Sequence, residues 1–204
     1  MNMKKFLAIA LSLCMVFALG ITTSAADVTA DGGSGSTPVY LSSTEDGSIG
    51  GTPAATAMSV TVPTALPMAM SQTGDVTTAT DCKIINNSFG AVRVKSVTIT
   101  AASGWRLTAF GDKATLASEK VNSNKLGFSL SIGGGSAVKT DASDAASQTL
   151  ISAPVTGCYM TGVGNSSGNT VSVAYDAIVT PLSAPVTGAN IANVVFVIEW
   201  DTAA

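Results

Sequence analysis

The sequence predicts an all-β protein, a two-layer β-sandwich of jelly-roll or Ig-like type with about 8 to 10 strands, ahead of which runs a flexible N-terminal arm. Three observations predict it. Charged residues make up 11% of the chain, well under the usual quarter, so the Glu, Lys, Leu and Arg that long amphipathic helices need are missing. Apolar residues recur at every second position in several runs, the period of a half-buried strand. Clusters of Gly, Asn, Ser and Pro separate those runs at short, regular intervals.

The first segment lies outside the fold. Lys4 and Lys5 precede an almost unbroken apolar run from Phe6 to Ile21, and Thr22-Thr23-Ser24-Ala25-Ala26 supplies small residues for cleavage. This is the layout of a secretory signal peptide, residues 1–26, and the run is short for a membrane-spanning helix. Cys14 follows Leu13, where a lipidation signal requires a small residue. Removing the signal takes away two lysines and no acid, so the net charge moves from −3 to −5. A mildly acidic chain without a Lys/Arg cluster argues against nucleic acid and anionic lipid as partners. We expect a secreted protein, at the cell surface or cell wall, with no membrane span in its mature form.

Residues 27–57 are rich in Gly, Ser, Thr and Pro and read as an arm or linker. Their one apolar island, Val39-Tyr40-Leu41, is a candidate strand or docking segment. Residues 58–204 form the expected sandwich domain. Met58 to Val62 alternates as a strand, and Pro63 and Pro67 confine the next stretch to an edge or turn, since proline has no ladder donor. Gly74-Asp75 marks a turn, Val76 to Ile85 a strand, and Asn86 to Gly90 the next turn. Val92 and Val94 share one face, whereas Val97 and Ile99 fall on the other parity, a phase shift that predicts a β-bulge near Ser96.

Gly104 to Phe110 and Lys125 to Ile132 are the next expected strands, separated by a loop with one helical turn around 114–120. Gly133-Gly134-Gly135 ends the second of them. A further short helical turn is expected between Thr140 and Gln148, and 157–169 reads as a long surface loop. Thr170 to Thr180 alternates cleanly. Asn193 to Trp200 is apolar on both faces, which predicts a central, covered strand. The hexapeptide Ser152-Ala-Pro-Val-Thr-Gly157 recurs at Ser183–Gly188 without similar flanks, which reads as a reused loop and not as a structural repeat.

The chain contains no histidine, so Ser-His-Asp and Cys-His catalysis, the HExxH zinc helix and histidine-based metal sites are all absent. Two carboxylates across a cleft suffice for glycoside hydrolysis, and Asp176 and Glu199 are the candidates, but aromatic platforms for a polysaccharide are scarce. Asp81 and Asp141-x-x-Asp144 match no defined calcium loop. Asn86-Asn87-Ser88 and Asn165-Ser166-Ser167 are glycosylation triplets of the kind that arise by chance in such a composition, and no glycan is expected. The expectation is therefore a non-catalytic protein without cofactor or metal. Cys82 and Cys158 remain in the mature chain and are a possible disulfide, closing a loop of about 75 residues; their distance is not readable from sequence.

Gly104-Trp105-Arg106-Leu107, placed after the Val-Thr-Ile-Thr strand, resembles the WxL domain of Gram-positive surface proteins. Val-Thr-Val-Pro at 60–63, the turn at Asn86–Gly90 and the final Val-Phe-Val-Ile-Glu-Trp are similar to its layout, over about residues 58–201. At the second motif Trp200 is followed by Asp201 and Thr202 in place of x-Leu. The resemblance implies non-covalent binding of peptidoglycan or of other surface proteins, with Trp105, Leu107 and Trp200 as the matching positions, although a lone strand tryptophan usually belongs to a core. A second resemblance is to TasA-like and camelysin-like secreted fibre subunits. It implies a structural subunit of an extracellular fibre or biofilm matrix, a homopolymer assembled by strand donation, with Val39, Tyr40 and Leu41 as the possible donor strand.

Overall fold

A computed structural model describes residue 41, residues 55–165 and residues 167–202. The chain divides into two units, residues 1–55 and 56–204. The signal segment, Val39 and Tyr40 lie outside the described residues. Leu41 carries no strand and is 95% exposed.

The second unit is built from β-strands in the order β1 (Val60–Thr61), β2 (Met68–Met70), β3 (Val76–Thr78), β4 (Lys83–Asn86), β5 (Val92–Ala101), β6 (Arg106–Thr108), β7 (Lys125–Ile132), β8 (Val138–Lys139), β9 (Ser147–Ile151), β10 (Tyr159–Met160), β11 (Thr170–Val179) and β12 (Ala192–Trp200). One sheet runs β1-β4-β11-β7-β6, with β8 also on β7. The other runs β10-β5-β12, with β9 sharing the β10 side of β5. β2 and β3 form a separate hairpin. All pairings are antiparallel except β6 with β7.

The alternating sequence of β11 explains its place. Val171, Val173, Tyr175 and Ala177 face the interior, while Thr170, Ser172, Ala174 and Asp176 face solvent. They meet Leu126, Phe128, Leu130 and Ile132 of β7 and Val92, Val94, Val97 and Ile99 of β5 in one core between the sheets. The Phe128 and Tyr175 rings stack with centroids 6.1 Å apart, an arrangement that adds to their burial. The phase shift in β5 is a bulge. Val197 of β12 pairs with Ser96, and Ile198 with Val94, leaving Lys95 as the extra residue. The bulge returns both halves of a discordant apolar pattern to the same core face.

β7 changes partner partway along, and a side chain fills the seam. β6 ends at Thr108 and β8 begins beyond it; between them the buried Thr140 hydroxyl accepts the Phe128 N–H (2.9 Å) and donates to the Thr108 carbonyl (2.6 Å). Thr140→Val keeps the shape and strands both groups, so it should cost about 2 kcal/mol, read as a lower urea midpoint at unchanged slope.

Four expectations are corrected. The stretch 76–85 is two strands, because β3 turns back on β2 while β4 joins β1 and β11. Residues 140–148 form no helical turn; Ala145 bridges Leu107 and β9 already begins at Ser147. Among the described strands β12 lies at an edge and not at the centre of its sheet. Cys82 and Cys158 are free thiols: Cys82 adjoins β4 in the six-stranded sheet with Sγ turned to the Ala65 carbonyl, and Cys158 is buried beside Val94 of the opposite sheet.

Candidate functional site: an open sandwich edge

β12 pairs with β5 along its whole length and with no other described strand. The carbonyl of Ile191 and the N–H of Asp201 both bond to the β5 side, so by alternation the even residues 192 to 200 direct their N–H and C=O groups away from the sheet. Val194, Phe196, Ile198 and Trp200 turn their side chains to the core, yet each is only half-buried. On the outer face Val195 and Val197 are 53% and 42% exposed. A nine-residue edge with apolar residues on both faces is a template for a further strand, and proteins that do not use such an edge blunt it with charges or proline.

Beside this edge the two sheets do not close. A cleft of ≈ 1490 Å³ opens between Val194, Phe196 and Ile99 of one sheet and Leu126, Phe128 and Val179 of the other. The segment Pro63–Met70 and the loop 181–191 form its sides, with Trp105 and Leu116 on its wall. Tyr175 fixes the far side: its hydroxyl donates to the Pro67 carbonyl and accepts the Ala79 N–H, and burial pushes its pKa up. Ile99, Leu126 and Phe128 stay buried at its floor, and the half-buried Val179, Val194 and Phe196 are the apolar side chains of its lining that reach solvent.

Past the bulge the outer face is charged. Glu199 accepts Arg93 Nε at 2.8 Å and pairs with Lys95 Nζ at 3.0 Å, and Arg93 Nη1 lies 3.4 Å from Asp201. Hydrogen bonds from Lys95 and Arg93 hold the Glu199 carboxyl below its ordinary range, and Glu199 raises the Arg93 guanidinium in turn. Towards the other end the face is neutral, with hydroxyl pairs Thr98–Thr149 and Thr100–Ser147.

The residues singled out by sequence are scattered over the fold. Leu107 is fully buried, Trp105 lies on the cleft wall, and Trp200 packs over Gly90, where a Cβ would come within 2.9 Å of its ring. Trp105 adjoins the Ala101 end of β5 and Trp200 pairs with Val92 at the other, about 30 Å away at 3.3 Å per residue. The three do not form one surface. Asp176 faces outward from β11 and Glu199 outward from β12, on opposite faces of the sandwich, so they flank no common cleft. Asp141 is bound to Gln148 and Asp144 lies near Lys125; among the described residues no cluster of acids and thiols could hold a metal ion. Asn86 is buried with its amide fully engaged, which leaves no room for a glycan.

The edge of β12 and the cleft are hidden at the level of sequence because their residues come from six separate stretches. The one signal was Val195 and Val197 on the parity that a solvated face gives to polar residues. No protein-family model, no characterised protein and no solved structure matches this chain.

Proposed function

We propose that this chain is an exported, non-catalytic surface protein that works by association, as the subunit of an extracellular fibre or matrix that receives an extended segment of a neighbour along β12. The observation that carries this reading is the nine-residue edge, unpaired among the described strands, beside an open apolar cleft. Added strands gain main-chain hydrogen bonds from such an edge and seat alternate side chains in the groove beneath it. The arm 27–57 is the proposed donor, with Val39 and Leu41 on one parity; Leu41 stands almost wholly in solvent. Residues 1–26 support export. Binding of peptidoglycan through Trp105, Leu107 and Trp200 has less behind it, since Leu107 is buried and the tryptophans stand at opposite ends.

Deleting residues 27–56 from the mature chain should abolish filaments seen by negative-stain microscopy and leave a folded monomer. Val195→Lys with Val197→Lys should do the same without lowering the melting temperature, because both side chains are exposed and lysine on an edge disfavours pairing. Unchanged filaments from both variants would defeat the proposal.

A further inference from the structure

The sandwich has two unlike ends. At the end where β5 begins, the turn Asn86–Gly90 and the loop carrying Val163 are joined into one rigid tip. The buried Asn86 amide donates to the Gly90 and Thr161 carbonyls at 2.9 Å each, its oxygen accepts the Ser88 N–H, and Val163 N–H bonds to the Ser88 carbonyl. Gly162 lies so close under the Phe89 carbonyl that a Cβ there would come within 1.9 Å of it. What this scaffold presents is apolar: Phe89 is 81% exposed and Val163 52%. An aromatic side chain on a preorganised backbone, left in water, is the form of an interface anchor.

The chain enters the sandwich at the same end. Ser59 N–H donates to Ser88 Oγ, and Asn87 N–H to the Ser59 carbonyl. The root of the N-terminal arm is therefore beside the Phe89 tip. The apolar cleft is in the other half, near the end where β5 finishes and β12 begins, and its half-buried apolar lining is Val194, Phe196 and Val179 over the buried Ile99 and Leu126. Neither the tip residues 87–90 nor the segment 161–165 carries a charge, and the half-buried Val194, Phe196 and Val179 of the cleft are apolar.

We infer that the Phe89 tip of one copy seats in the cleft of a second copy, head to tail. This rests on the proposed assembly and deepens it by fixing the contact and the polarity. A knob at one end and its receptor at the other form a heterologous contact, which propagates into an open filament instead of closing a dimer. In such a stack the root of each arm stands next to the neighbour's free β12 edge.

The test places photoreactive p-benzoylphenylalanine at position 89 of the full mature chain and maps cross-links by mass spectrometry after irradiation under assembly conditions. Cross-links to 63–70 or 181–196 of another copy are expected, and Phe89→Ser should raise the concentration needed for assembly at least tenfold at unchanged melting temperature. Filaments that form with tip-to-tip cross-links, with cross-links elsewhere or with none overturn the tip-in-cleft contact and leave strand addition standing. A monomer at every concentration overturns both.

Discussion

Gly157→Ala is expected to be among the most damaging small substitutions in the sandwich, lowering stability by about 4 kcal/mol. Gly157 has φ +94, and an added Cβ would lie 2.1 Å from the Ile132 carbonyl oxygen; Gly133, on the other side of the same approach, would place its own Cβ 2.4 Å from the Gly157 carbonyl. Neither backbone can yield, because Gly133 N–H is tied to Ser172 of β11. Two penalties add: left-handed backbone for a residue with a Cβ, and the parting of two main chains. The recurring hexapeptide supplies a matched control. Gly188 closes the second Ser-Ala-Pro-Val-Thr-Gly copy at φ +62 with nothing within 4 Å of its Cβ position, so Gly188→Ala should cost only about 1–2 kcal/mol. Thermal melts of the two variants should therefore differ by several degrees; equal shifts would show that the backbone approach at Gly157 is unimportant.

Asn86→Ala should cost about 3 kcal/mol. The side chain is fully buried and satisfies two carbonyls and one N–H, and alanine leaves all three without a partner or admits water. This loss differs in kind from that of Gly157, because the Asn86 network also shapes the Phe89 tip. The variant should melt lower and, at temperatures where it remains folded, should assemble less readily than Thr140→Val, whose defect lies at the β6–β7–β8 seam. Comparing the two at equal fraction folded separates a global loss of stability from a local loss of tip geometry.

Much of the fold was legible because strand patterns are local. The alternation of β7 and β11 placed their core residues, and the change of parity between Val94 and Val97 predicted a bulge near Ser96, one residue from the extra residue Lys95. Strand order was not legible. Nothing in Asn193–Trp200 distinguishes a strand covered on both faces from an edge strand with exposed valines, since the difference is whether another chain segment lies beside it. The parallel β6–β7 pair, the split of 76–85 and the separation of the two cysteines are likewise long-range outcomes. At the site, the tryptophan and leucine positions were visible as residues, but their burial was not.

The pairing of β5 with β12 has a consequence for timing. These partners are separated by roughly 100 residues of sequence, and β4 meets β11 across roughly 85. Contacts so distant must wait for a large loss of chain entropy, which places this topology among slow folders. A ribosome that has delivered everything up to Gly188 has supplied β9 and β10 along one side of β5 but not yet β12, its longest partner. On the proposed export route, that delay keeps the polypeptide threadable through a narrow translocation pore until its final strand has been made.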